Sequence, residues 1–109
     1  RSQALFESLV NDFRISKYLH LRPAQVSASV RKATGLVRAF LVNAQIIFLD
    51  EPSLGLGEEG WATVKSWIKK FREESQDKLV VLTTSDSRIV DDINGLKWSI
   101  QNHKIEKAA

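Results

Sequence analysis

The chain has no cysteine and no methionine, and only two of its 109 residues are histidine. Without cysteine there are no disulfides and no thiolate metal sites, a composition that fits a reducing compartment. His20 and His103 stand far apart, so no metal-ligand cluster forms around them, and each reads as a surface or loop residue. No apolar run approaches the ~20 residues that a membrane-spanning helix needs, and no signal peptide opens the chain. The sequence begins with Arg1 and lacks methionine altogether, so it is expected to be a piece of a longer protein. A strong excess of one charge is missing too: the net charge is +3. The basic residues Arg31, Lys32, Arg38, Lys65, Lys69, Lys70 and Arg72 are dispersed over two predicted helices and read as solvated surface. The three tryptophans add no extended basic-aromatic pattern, and no nucleic-acid partner is expected.

What remains is ordinary globular material. With 43% hydrophobic and 27% charged residues, the chain forms one domain at most, long enough to bury a core. No internal repeat or low-complexity segment interrupts it.

The early part is helical. Phe6, Leu9, Val10 and Phe13 recur at helical spacing, which predicts an amphipathic helix over the first stretch of about fifteen residues. A break follows from His20 to Gln25, centred on Pro23. The next helix starts near Ser27 and carries Val30, Ala33, Val37, Phe40 and Leu41 on its inner side. The pattern then changes. Ile46-Ile47-Phe48-Leu49 is a short apolar run that reads as a buried strand and ends in Asp50-Glu51-Pro52, where proline forbids further pairing. A helix over Gly60–Arg72 buries Trp61, Val64, Ile68 and Phe71, and Leu79–Thr84 reads as a second buried strand. Two strands with a helix-length interval between them predict a parallel βαβ unit with a right-handed crossover. Trp98–Gln101 and Lys104–Ile105, separated by Asn102-His103, suit a terminal hairpin.

Asp50 and Glu51 are thereby delivered to the carboxyl end of a strand, where open α/β sheets place their ligand chemistry. In P-loop nucleotide triphosphatases a carboxylate here helps to hold Mg²⁺, and an adjacent acid can polarise an attacking water. The competing reading is a strand end followed by two solvated loop acids. Gly55-Leu56-Gly57-Glu58-Glu59-Gly60 matches the dinucleotide-binding pattern G-x-G-x-x-G, but Glu51 to Leu54 intervene between strand and first glycine. Glu58 and Glu59 also occupy the first helical turn, where they favour the helix and repel a pyrophosphate. A receiver-type phosphoacceptor domain fails because the first forty-five residues offer helices where alternating strands are required.

From Pro23 to Ile105 the sequence resembles the C-terminal half of an ATP-binding-cassette (ABC) ATPase domain. Val26-Ser27-Ala28-Ser29-Val30, preceded by Pro23-Ala24-Gln25, aligns with the L-S-G-G-Q signature. Arg31-Lys32-Ala33-Thr34-Gly35-Leu36-Val37-Arg38-Ala39-Phe40 resembles the R-K-R-V-G-L-A-R-A-L that often follows it. Asp50-Glu51-Pro52 matches the Walker B end, Leu54-Gly55-Leu56-Gly57 the D-loop, and Thr84-Ser85-Asp86 the T-H-D of the switch. Within the family, the Arg-Lys-x-x-Gly-Leu run is similar to the MCE-type lipid-transport ATPases. The resemblance implies an α/β, P-loop NTPase-like fragment. Residues 1–25 would end a helical subdomain, and residues 26–109 would form a parallel βαβ core with a terminal hairpin. It also implies ATP and Mg²⁺ in the complete protein, with Asp50 on the metal, Glu51 as the catalytic carboxylate that directs the water, and Ser27, Ala28, Ser29 and Ser85 facing nucleotide. The implied partners are a second ABC ATPase subunit, identical or different, and a transmembrane permease that holds the protein on the cytoplasmic face of the membrane.

The departures from the family pattern matter as much. No glycine is followed by lysine, so the Walker A cradle and its phosphate-binding lysine are absent. Ala28 and Ser29 replace the signature glycines that let backbone amides approach a phosphate, while Ser27 keeps the hydroxyl. Ser85 stands where the switch histidine is expected and cannot carry its charge; Gly57 replaces the D-loop aspartate. Because ABC domains pair head-to-tail, these losses fall in both composite sites, and slow hydrolysis or none is expected. Two functions therefore stand side by side: an impaired transport ATPase, or a degenerate cassette with a regulatory or structural role.

Overall fold

A computed structural model describes residues 3–107. Helix α1 covers Gln3–Asp12, α2 Ala28–Leu41, α3 Gly57–Glu73 and α4 Ser87–Asp92. Strand β1 covers Ile46–Asp50, β2 Leu79–Thr83, β3 Trp98–Gln101 and β4 Lys104–Lys107. Two 3-10 turns, Ser16–Tyr18 and Pro23–Gln25, fill the break between α1 and α2. No helix among the described residues is long and apolar enough to cross a membrane.

The strands β1 and β2 pair in parallel, with Ile46 opposite Leu79 and Asp50 opposite Thr83. A helix between them is the connection that parallel pairing requires. The hairpin β3–β4 forms a separate antiparallel pair with Ile100 opposite Ile105. Its turn residues Asn102 and His103 have φ of 51° and 62°, the left-handed pair that matches the twist of a two-residue hairpin.

The core lies between the helices and one face of the β1–β2 sheet. Leu9, Val10, Phe13 and Ile15 meet Ala33, Leu36, Val37 and Phe40 of α2, and Trp61, Val64, Trp67, Ile68 and Phe71 of α3. Phe40 anchors this layer, with ring centroids 6.3 Å from Trp67 and 6.4 Å from Phe71. Two tryptophan–aspartate bonds tie α3 to its neighbours: Trp67 Nε1 donates to Asp12 at 2.9 Å, and Trp61 Nε1 donates to Asp92 at 2.8 Å.

Several elements differ from the sequence expectation. Helix α1 stops at Asp12 because Arg14 turns left-handed at φ 58°, which swings Ile15 into the core. Helix α2 buries Leu36 as well as Ala33, Val37 and Phe40, while Val30 and Leu41 are only partly covered. Helix α3 begins three residues early, at Gly57. Helix α4 was not anticipated. The largest correction concerns the strands, which are buried on one face only. Ile47 and Leu49 are core residues, but Phe48 is 74% exposed, and Ile46, Leu79 and Val81 are also exposed. A continuous apolar run implies cover on both faces; the described residues supply a helical layer on only one.

Candidate carboxylate site at the strand ends

The side chains alternate along β1, so Ile47 and Leu49 point to the helices and Asp50 projects from the opposite face. Its register partner Thr83 projects the same way and donates its hydroxyl to Asp50 Oδ1 at 2.6 Å. One further ladder bond, from the Glu51 amide to the Thr83 carbonyl at 2.8 Å, extends the pairing. The chain then turns sharply: Glu51 sits at φ 46° and is followed by the fully buried Pro52. A left-handed non-glycine residue costs roughly 1–2 kcal/mol, so the surroundings must hold it.

They do so through the carboxylate. Glu51 Oε2 accepts from the Thr84 hydroxyl at 3.0 Å, and Oε1 accepts from the Ser85 amide at 2.8 Å. From the other side, Lys32 of α2 donates Nζ to the Asp50 carbonyl at 2.9 Å. The Asp86 carboxylate caps α4 by accepting from the Arg88 amide. The Arg88 guanidinium bonded to that carboxylate holds it below its ordinary range.

Asp50, Glu51 and Ser85 are thus brought together, though Ser85 contributes its backbone amide. Ser27, Ala28 and Ser29 lie apart at the start of α2. Ser27 Oγ accepts from the Val30 amide at 3.3 Å and lies 3.0 Å from Ser29 Oγ. It is therefore engaged in capping the helix. Ser29 also lines a cleft of about 290 Å³ beside Gly55 and Gly60. The glycine loop there answers backbone needs. Gly57 has φ 72°, and a Cβ on Gly60 would lie 2.5 Å from Leu56 Cβ.

Mg²⁺ takes one or two carboxylates plus phosphate oxygens in place of an all-protein cage. Among the described residues no group of three or more acidic or imidazole side chains could hold a metal alone. Asp50 Oδ1 is occupied by Thr83, while no donor among the described residues reaches Oδ2. One free carboxylate edge fits a metal shared with a phosphate. A nucleotide's phosphate cradle has no counterpart among the described residues.

Thr83, Thr84 and Lys32 were not assigned a site role from the sequence, although Thr84 stands in the switch alignment and Lys32 in the run after the signature. The threonines could have been found by aligning the two strand ends, since Thr83-Thr84 closes the apolar run Leu79–Leu82 as Asp50-Glu51 closes Ile46–Leu49.

No family model matches the chain. It is 28% identical over 85 residues, 78% of this chain and 26% of the other, to the sulfate/thiosulfate import ATP-binding protein CysA of Nocardia farcinica. It is 27% identical over 77 residues (71% and 13%) to a putative ABC transporter ATP-binding protein of Mycoplasma pneumoniae. Identity reaches 31% over 84 residues (77% and 34%) with the putative ABC transporter ATP-binding protein AlbC of Bacillus subtilis. The chain therefore spans between 13% and 34% of the length of these relatives. Its similarity to ABC transporter ATP-binding proteins covers most of its own length.

Proposed function

We propose that this chain is the C-terminal half of the ATP-binding domain of an ABC transporter. Residues 1–25 end its helical subdomain, and residues 26–109 form the C-terminal part of a P-loop NTPase-like core. The observation that carries the reading is the Asp50-Glu51 pair at the carboxyl end of a parallel strand, held by the end of the neighbouring strand. The similarity to ATP-binding proteins agrees with it. The run Arg31-Lys32 to Gly35-Leu36 supports a place near the MCE-type lipid-transport group. In the complete protein the domain binds ATP with Mg²⁺, pairs with a second ABC ATPase subunit, and docks on a transmembrane permease at the cytoplasmic face.

The roles assigned here rest on the strand-end geometry and on the family resemblance. Asp50 offers Oδ2 to Mg²⁺, which when bound neutralises phosphate charge. Glu51 orients water and takes up a proton. Ser27, Ala28 and Ser29 face the nucleotide of the opposite subunit. Ala28 and Ser29 place a Cβ where close approach of amides is needed, and Ser85 lacks an imidazole. Losing one preorganised donor commonly costs about 10²–10³ in rate, so hydrolysis is impaired. These same three positions favour the second reading, a regulatory or structural cassette that does not turn over.

Steady-state hydrolysis by the full-length protein with its partner tests the reading. Glu51→Gln is expected to abolish hydrolysis and leave nucleotide binding intact, and Ser85→His to raise the wild-type rate. Wild-type turnover at ordinary enzyme rates, unchanged by Glu51→Gln, refutes the catalytic assignment. Nucleotide binding without measurable hydrolysis, unrepaired by histidine at position 85 and glycines at 28 and 29, selects the regulatory reading.

A further inference from the structure

Three consecutive residues at the end of β2 deliver three donors to the two carboxylates of β1. The Thr83 hydroxyl takes one oxygen of Asp50; the Thr84 hydroxyl and the Ser85 amide take the two oxygens of Glu51. We propose that Thr84 is the positioning residue of Glu51: it and the Ser85 amide fix the direction of that carboxylate, so that the side chain at position 85 is not needed to hold it. The inference rests on the catalytic reading of Glu51 given above.

The hydrogen-bond arithmetic is specific. The Thr84 oxygen accepts from the Asp86 amide at 3.0 Å. A hydroxyl has a single proton, and with that acceptor position filled the proton is left for Glu51 Oε2 at 3.0 Å. Threonine is also stiff at χ1 because it is β-branched, so the donor is held in place before Glu51 arrives. Hydrogen bonds to a charged acceptor are stronger than neutral ones. With two donors on different oxygens, the carboxylate can neither rotate about its own axis nor swing without losing one. The backbone of Glu51 is fixed as well, by the hydrogen bond its N–H donates to the Thr83 carbonyl and by its left-handed φ. What a histidine side chain at position 85 would otherwise do for Glu51 is thus divided here. Orientation comes from Thr84 and a backbone amide that any residue provides, and only contact with phosphate is missing.

Two measurements on the full-length protein test this. In hydrolysis, Thr84→Val keeps the shape and removes the hydroxyl. It is expected to lower kcat by about 10- to 100-fold with nucleotide Kd unchanged, while Thr84→Ser restores most of the rate. On a Glu51→Gln background Thr84→Val is expected to cost nothing more, because it acts through Glu51. The second readout needs no turnover: hydrogen exchange of the Ser85 amide in nucleotide-free protein. Its protection is expected to fall on the order of tenfold in Glu51→Asn and in Thr84→Val, and to survive in Thr84→Ser. Wild-type kcat in Thr84→Val beside an inactive Glu51→Gln overturns the inference and leaves the catalytic reading standing. An active Glu51→Gln overturns that reading instead, and the exchange data then decide whether Thr84 fixes the carboxylate. A Ser85 amide equally unprotected in all variants and the wild type refutes the proposal outright.

Discussion

Removing the Asp12 carboxylate is expected to loosen the attachment of α1 to α3. Trp67 is only 6% exposed, and its indole N–H is directed to Asp12 Oδ2 at 2.9 Å. In Asp12→Ala that donor loses a charged acceptor at a partly buried position, which costs about 1.5–3 kcal/mol. The nearby ion pair with Lys70, at 3.7 Å with both side chains about half exposed, contributes little, up to about 0.5 kcal/mol. An acid at a helix C-terminus opposes the helix dipole, so its removal returns roughly 0.3 kcal/mol. The net loss is about 2 kcal/mol, or roughly 8 °C in Tm for a domain of this size. Asp12→Asn supplies the control: it keeps an oxygen acceptor and gives up only the charge, so it is expected to lose less than about 1 kcal/mol. Urea unfolding followed by far-UV circular dichroism separates the two. In a double-mutant cycle with Trp67→Phe, the two losses should be strongly non-additive. Equal stability of Asp12→Ala and Asp12→Asn, or full additivity with Trp67→Phe, would show that the indole bond does not carry the contact.

Two other outcomes follow from the packing and charge. Hydrogen bonds from Lys65 and then Trp61 hold the Asp92 carboxyl below its ordinary value of 3.8. A depressed folded-state pKa gives stability that is complete above the unfolded value and is lost as pH falls through the folded one. Asp92→Asn is therefore expected to flatten the acid limb of the stability–pH curve below about pH 4, and an unchanged slope there would contradict the bond. Phe40→Ala, at 2% exposure, is expected to cost about 3–5 kcal/mol in urea unfolding, whereas Phe48→Thr, at 74% exposure, is expected to change stability by under about 0.5 kcal/mol.

Much of this arrangement was legible in the residues because single rules governed it. Helical spacing placed the inner faces of α2 and α3. The helix-length interval required parallel pairing, and Pro52 marked the end of β1. The misses have separate physical causes. Arg14 takes a left-handed turn without glycine or asparagine to signal it. Helix α4 has six residues and one buried side chain, Ile89, too few to show a period. The exposed face of the sheet escaped notice because an apolar run records what a strand can bury, not what its neighbours cover. The roles of Thr83 and Thr84 depend on strand register, which matching the two strand ends suggests but which spacing along the chain alone does not fix.

The parallel register also dictates an order of assembly. Asp50 and the threonine that bonds it are 33 residues apart in sequence, and closing so long a loop costs chain entropy before any contact repays it. Until β2 is synthesised and docked, β1 ends in two neighbouring carboxylates with no hydroxyl or amide to hold them. In a chain that ends before Thr83, the donors that hold the two acids are missing. The step that completes the sheet also completes the acid pair.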